Sequence, residues 1–327
     1  KGGNVSRLLE GISIPKMFHA KQAFDDAKIT PEDIPAVVYR ELSKPGIGET
    51  IKPGMTVAVT AGSRGVANVN VITRSIVDFC KEKGAHPFIV PAMGSHGGAL
   101  AEGQKELLAG YDITEESMGC PIKSSMETVL LGYSQYGKPV YQDKYAHEAD
   151  GIIISCRIKP HNAFRGPYES GVCKMMVVGL GKQTGAESVH SDGLGNMARN
   201  LPANARVVLE RSSILFAIPC VENAYDETSI IEAIPREAIM DREPELLKTA
   251  FSNMPGILVG EADVLIVNEI GKNFSGTGVD PNISGTWSTE FGKGGLKVKR
   301  TCFLDLTDCS HGNANGMGLA DIITARL

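Results

Sequence analysis

The sequence lacks several features that would assign it to a particular class of protein. No apolar run reaches the roughly 18 residues that a transmembrane helix needs, so we expect no membrane span. There is no pair of cysteines with CxxC spacing, which excludes a zinc ribbon. The seven cysteines are odd in number and scattered. This usage indicates reduced thiols in a cytoplasmic protein rather than a disulfide framework.

The chain also carries little excess charge. Its formal net charge is -5 and no basic stripe is visible, so we expect no nucleic-acid partner.

A length of 327 residues is enough for two domains. The helix-breaking Met254-Pro255-Gly256 segment predicts a boundary there, with a catalytic and cofactor domain over residues 1–254 and the start of a second α/β domain over 255–327. We expect this second domain to be incomplete, and the last residues to form a helix.

What is present is an alternation of apolar runs and helical patterns. Strands are predicted over residues 55–61, 87–92, 151–156 and 263–268, and a helix over 68–83. Residues 129–133 and 139–142 predict a hairpin with Gly137 in its turn. This alternation predicts an α/β fold with a mostly parallel, helix-covered sheet. We expect the site to lie in a cleft between the two domains.

Glycine-rich and polar segments follow the predicted strands. Four of them are residues 61–65, 94–98, 157–171 and 271–278. In parallel sheets, ligands bind in the loops beyond the carboxyl ends of the strands. The sequence therefore predicts that these four segments share one site.

Histidine is scarce, with seven in the whole chain. Three of these, His96, His161 and His190, lie in such segments or near predicted helix starts. Imidazole titrates near neutral pH and is a common nickel ligand. Each histidine alone is equally consistent with a surface role, whereas the set of three favours proton transfer or metal binding.

Several charged residues have two possible interpretations. Lys174 lies in an apolar stretch, where it is either a cofactor attachment point or a surface lysine with a buried stem. Arg64, between two glycines of a post-strand loop, either binds an anion or is a solvated turn residue. Lys272 and Glu269 lie in or beside the densest polar loop and could face an anionic substrate.

Two nucleotide-binding patterns are absent. The 179–185 segment, with Lys182, faintly resembles a phosphate-binding loop but fails the required spacing, which excludes an ATPase interpretation. No G-x-G-x-x-G follows the first strand, which argues against an ordinary NAD dehydrogenase.

Four pieces of sequence together carry a family resemblance. They are Gly94-Ser95-His96, Lys159-Pro160-His161, Ser170-Gly171-Val172-Cys173-Lys174, and His190. In this combination the chain resembles the nickel-dependent lactate racemase family, as a divergent homologue. The 162–169 segment, the Gly97-Gly98 pair and the 269–278 loop differ from the lactate racemase pattern, so lactate itself is not implied.

The resemblance implies a cofactor and a set of roles. The cofactor is a nickel-pincer nucleotide, a nickel pyridinium bisthiocarboxylic acid mononucleotide, and the protein is expected to be apo without its maturation enzymes. The implied roles are covalent attachment at Lys174, cofactor contacts from Arg64, Ser170 and Gly171, nickel ligation by His190, acid–base catalysis by His96 and His161, and substrate binding by Arg64, Lys272 and Glu269.

The implied function is a racemase or epimerase. It inverts the C2 carbinol of a small 2-hydroxy acid by hydride transfer to and from the cofactor. The expected protein partners are the maturation enzymes, and we expect binding to neither nucleic acid nor a membrane. One alternative is a metal-dependent hydrolase or lyase in which His96, His161 and His190 bind one ion. A second alternative is a non-catalytic ligand-binding homologue with the same fold.

Overall fold

A computed structural model describes Arg7, residues 10–13, residues 15–63 and residues 65–327. Within these ranges the strands form a six-stranded sheet, a two-stranded hairpin and a three-stranded sheet. The strands are β1 (Thr56–Ala61), β2 (His86–Pro91), β3 (Thr128–Tyr133), β4 (Pro139–Asp143), β5 (Gly151–Arg157), β6 (Ile214–Glu222), β7 (Thr228–Ile231), β8 (Ile234–Pro235), β9 (Glu261–Ile270), β10 (Lys297–Leu306) and β11 (Ile322–Ile323).

Helices connect most of these strands. They are α1 (Ile34–Leu42), α2 (Val69–Glu82), α3 (Ala101–Ala109), α4 (Glu115–Met118), α5 (Lys144–His147), α6 (Val172–Lys174), α7 (Lys182–His190), α8 (Met197–Arg211), α9 (Ile239–Asn253) and α10 (Pro281–Ser284). A π-helix, Met175–Gly179, continues α6. In the described part of the chain, each helix is too short or too polar to cross a bilayer.

In the six-stranded sheet, β1 lies between the edge strand β2 and β5. β1 pairs in parallel with β2 and β5, and β5 pairs in parallel with β6. Only β7 and β8 are antiparallel, both on β6. The predicted fold class, a mostly parallel α/β sheet, is confirmed.

Both faces of this sheet are buried, as its apolar strands predict. Val57, Val59 and Ile153 pack with α1 and α2 on one face. Ala58 and Ile152 lie on the opposite face, in a core completed by α6, the π-helix and α8. Side chains that alternate along a strand point to opposite faces, so one strand supplies both cores.

Two local predictions are confirmed and one boundary moves. The hairpin pairs β3 with β4, and Gly137 takes a φ of 72° in the turn. The sequence predicts a helix over residues 245–252, and in the structure α9 begins earlier, at Ile239, with Pro244 inside it. Proline cannot donate to the carbonyl one turn earlier. Here the Tyr168 hydroxyl donates to that carbonyl, on Met240, at 2.6 Å.

The last sheet consists of β9, β10 and β11, all parallel. The predicted terminal helix is wrong, because residues 322 and 323 pair with Cys302 and Phe303 of β10. Two β-branched isoleucines at this position fit a strand better than a helix. The division into two domains at residue 255, and with it a cleft between domains, stays a prediction.

Candidate active site

One cavity lies at the carboxyl ends of the parallel strands. Its volume is about 570 Å³, within the range of small-molecule and cofactor sites. The loops that follow β1, β2, β5 and β9 all contribute to its lining. In the sheet order β2-β1-β5-β6, the chain continues from β1 to β2 on one side and from β5 to β6 on the other. The cavity lies at this switch between β1 and β5, the usual ligand position in such sheets. The predicted convergence of the four polar segments is confirmed.

Most of the residues singled out in the sequence line this cavity. The described lining includes His96, His161, Ser170, Gly171, Lys174 and Lys272. Arg64 lies outside the described residues, although its neighbours Ser63 and Gly65 line the cavity. The roles of these residues stay predictions.

His96 is exposed to the cavity on a tight loop after β2. Its backbone N–H donates to the Met93 carbonyl at 3.1 Å, and its own carbonyl accepts from Gln104 Nε2 at 3.1 Å. Gly97 follows with a φ of 67°, and a Cβ on it would lie only 2.6 Å from the Gly103 backbone. Glycine is therefore required here, because any side chain would push the loop away from α3.

His161 lies on the loop after β5, and its surroundings keep it neutral. Burial first, and then the positive charges of Lys174, His190, Lys159 and Arg165, lower the pKa of His161 well below 6.5. An unprotonated imidazole at neutral pH is ready to exchange a proton with a substrate.

The ring of His161 has a defined orientation. Its Nδ1 accepts a hydrogen bond from the Ala163 N–H at 3.1 Å. In the neutral ring the proton is therefore on Nε2, so this conformation presents a donor. To accept a proton at Nε2, the ring must adopt the tautomer that is protonated on Nδ1. Nδ1 can then no longer accept the hydrogen bond from the Ala163 N–H. The Phe164 ring lies 4.4 Å from the imidazole, centroid to centroid, and limits its movement.

A buried glutamate and an arginine hold the His161 loop. Glu169 accepts from the His161 N–H at 2.6 Å, and Arg165 donates to the His161 carbonyl at 2.8 Å. The Arg165 guanidinium stacks between Phe251 at 5.0 Å and Trp287 at 4.5 Å. Arg165 thus ties the His161 loop to α9 and to the segment before β10.

Lys174 ends α6, half-buried, with its Nζ 3.5 Å from Ser170 Oγ. Glu243 of α9 caps this short helix by accepting from the Cys173 N–H at 2.8 Å. A Cβ on Gly171 would lie 2.3 Å from Glu243 Oε1, so only glycine allows the carboxyl group to reach the helix end. Burial raises the pKa of Glu243 to about 7.

His190 is placed differently from the expectation. It is the last residue of α7 rather than near a helix start, it is exposed, and it is not among the described cavity-lining residues. Its Nδ1 bonds to the Ala186 carbonyl at 2.7 Å. A carbonyl can only accept, so the neutral ring carries its proton on Nδ1 and leaves the Nε2 lone pair available.

The loop after β9 brings Lys272 to the cavity. Lys272 is exposed there, and its backbone N–H donates to Ser310 Oγ at 3.1 Å. Glu269 is also exposed but lies within β9, and it is not among the described lining residues.

A family model described as the lactate racemase N-terminal domain matches residues 17–200, more than half of the chain. The chain belongs to the lactate racemase family. His96, His161, Lys174 and His190 all lie within the matched region. No curated protein matches the sequence.

Solved structures share the fold at low sequence identity. The lactate racemase apoprotein from Thermoanaerobacterium thermosaccharolyticum is 15% identical, with a TM-score of 0.56 over 85% of this chain and 67% of that one. A protein from Thermotoga maritima is 13% identical, with a TM-score of 0.60 over 86% of this chain and 72% of that one.

The three-histidine metal site considered from the sequence is not formed. Among the described residues, no group of three or more His, Cys, Asp or Glu side chains is arranged to hold a metal ion. His190 lies on α7, outside the cavity lining that contains His96 and His161. Three loop histidines in a sequence do not by themselves fix a common point in space.

Sequence reasoning missed the residues that support this family's site. Glu243 lies in an unremarkable amphipathic helix, and Gln104 in a stretch without any motif. Lys182 did carry a signal, because it is the lysine of the segment that resembled a phosphate loop. Its role in the structure is different, since it is fully buried against Asp143.

Proposed function

We propose that the protein is a racemase or epimerase that inverts the C2 carbinol of a small 2-hydroxy acid, using a nickel-pincer nucleotide attached to Lys174. The observation that carries the proposal is the shared cavity, lined by His96 and His161 from two different loops and by Lys174 from α6. Two potential proton carriers beside an amine suited to attachment fit this reaction better than they fit simple ligand binding.

The residues present fit the cofactor. Lys174 lines the cavity beside Ser170 and Gly171. His190 uses Nδ1 for the Ala186 carbonyl, the arrangement that metal-binding histidines commonly adopt, with Nε2 left for the metal. When bound, the nucleotide supplies the hydride acceptor and donor that a weakly acidic C2–H requires.

The two histidines handle the hydroxyl proton. One takes it as the C2 carbon becomes planar, and the other returns a proton after the keto acid has turned over. Both residues are needed in each direction, because the hydroxyl group occupies mirror-related positions in the two enantiomers. The low pKa of His161 keeps that ring neutral, and it can take the hydroxyl proton at Nε2 once Nδ1 gives up the hydrogen bond from the Ala163 N–H.

The substrate carboxylate needs a cationic partner. Lys272 is exposed at the cavity, on the loop after β9. We assign it to carboxylate binding together with Arg64, which restricts rotation of the acid during transfer. Glu269, exposed on β9, would contribute only if it turned toward the cavity.

Intact mass of the denatured protein tests the proposal. Protein produced together with the maturation enzymes should carry an adduct that maps to the peptide with Lys174, and Lys174→Ala should lose both the adduct and racemisation. Lys248→Ala is the matched control, because Lys248 is exposed and pairs with Glu245 on its own helix.

The outcomes separate the candidate functions. An active enzyme with an unmodified Lys174 would refute the attachment. An adduct without racemisation of any tested 2-hydroxy acid would favour the non-catalytic homologue.

A further inference from the structure

A fully buried lysine occupies the junction between the π-helix and α7. The Lys182 and Asp143 side chains are both 0% exposed, with Nζ 3.2 Å from Asp143 Oδ2. The ammonium also donates to Gln104 Oε1 at 3.1 Å and to the Pro91 carbonyl. The ammonium therefore has two hydrogen-bond acceptors and one ion-pair partner, Asp143. Burial lowers the pKa of Lys182, and Asp143 offsets part of that effect.

The backbone at Lys182 is strained as well. Its φ of 55° lies in the left-handed region, which is sterically unfavourable for a residue with a long side chain. Such a conformation persists only where the surroundings impose it. A buried ion pair adds little net stability compared with well-packed apolar residues. Stability alone therefore does not account for a lysine at this position.

Gln104 extends the contact toward the cavity. Because Lys182 donates to its Oε1, the amide group is oriented with Nε2 on the opposite side. Nε2 donates to the carbonyl of Gly94 at 2.9 Å and to that of His96 at 3.1 Å. The same glutamine thus holds both ends of the short segment that ends at His96.

The other end of the connection is the segment that follows Lys174. The Gly94 N–H donates to the Gly179 carbonyl at 3.2 Å, at the end of the π-helix that starts directly after Lys174. Lys182 follows three residues after Gly179. The buried ammonium therefore lies between the chain that carries Lys174 and the loop that carries His96.

We propose that Lys182, acting through Gln104, is a positioning residue that fixes His96 relative to Lys174. Neither Lys182 nor Gln104 is among the described residues that line the cavity. Both act through the backbone of the His96 loop. The inference rests on the proposed function for its catalytic consequence, while its structural part concerns the loop alone.

Hydrogen exchange in the full-length protein tests the structural part. Gln104→Leu removes both bonds to the loop carbonyls without adding charge, and Lys182→Met removes the ammonium. We expect the amides of the His96 loop to exchange on the order of tenfold faster in either variant. This is the effect of losing stabilisation equal to the net contribution of about one hydrogen bond. Exchange in the six-stranded sheet should not change. Gln183→Leu is the control, because Gln183 is exposed on the same helix as Lys182 and its side chain bonds to Glu187.

Kinetics of the cofactor-loaded enzyme test the consequence. A displaced His96 should lower kcat by about tenfold to a hundredfold and leave KM unchanged, since proton transfer depends on placement more than substrate binding does. The adduct at Lys174 should remain. If Lys182→Met does not fold, Gln104→Leu provides the test by itself.

Each outcome is decisive. Faster loop exchange with a lower kcat supports the proposal. It is overturned if loop exchange in Gln104→Leu equals that in Gln183→Leu, or if the loop loosens while kcat stays unchanged. If the loaded wild-type protein racemises no 2-hydroxy acid, the proposed function fails, and loop exchange still decides whether these residues hold His96 in place.

Discussion

Glu243 makes the stability of this protein depend on pH in a way that can be measured. Its side chain is buried in α9, and its pKa rises from 4.5 to about 7 in the folded state. At about 1.4 kcal/mol per pKa unit, this rise corresponds to roughly 3 kcal/mol. We therefore expect Glu243 to cause a large part of the change in unfolding free energy between pH 4.5 and pH 7.

The sign follows from proton binding. In this window the unfolded chain has released the proton and the folded protein retains it, so the folded state binds more protons. The free energy of unfolding then decreases as the pH rises, and the loss attributable to Glu243 is complete above about pH 7. Below pH 4.5 both states are protonated and this contribution is fully present.

Urea unfolding of wild type and Glu243→Gln across this range measures the effect. The buried carboxyls Asp143 and Glu169 also have raised pKa values and bend the wild-type profile in the same direction. The informative quantity is therefore the difference between the two profiles, which should change by about 3 kcal/mol from pH 4.5 to pH 7.5. Glu245→Gln removes an exposed carboxyl on the same helix whose pKa is lowered by Lys248, so its profile should depart from wild type with the opposite sign and mainly at the acid end of the range. Parallel profiles for Glu243→Gln would refute the reasoning.

Four further variants test the assigned roles. His190→Ala should lose nickel, measured by metal analysis of the loaded protein, with unchanged unfolding free energy because the side chain is exposed; retained nickel would remove it from the ligand set. His96→Ala and His161→Ala should each lower racemisation in both directions by about 10²–10⁴-fold, and an enzyme still active in one direction would contradict the two-histidine scheme. Arg165→Lys should lower the unfolding free energy by about 1–3 kcal/mol, since lysine cannot keep the stacked, forked contacts; a change no larger than that of the exposed Arg40→Lys would count against this connection.

Much of the fold could be predicted from local patterns. The apolar runs that became β1, β2 and β5 are continuous because both faces of each strand are buried, and this property is written into consecutive residues. The convergence of the loops was predictable for the same reason, since parallel strands end at one edge. The family motifs around His96, His161 and Lys174 lie in these loops.

Other features depend on residues that are distant in the chain. In the sequence, Lys182 belongs to a polar, glycine-containing segment. Only the folded chain brings it to Asp143, Gln104 and the Pro91 carbonyl. The burial of Glu243 likewise depends on α9 packing against the end of α6. By itself the sequence determined the class of sheet, the order of its elements and the loops that meet at the site. The tertiary structure alone decided which charges are buried and which histidine lies outside the cavity lining, because burial and charge pairing arise from contacts between segments that no local pattern encodes.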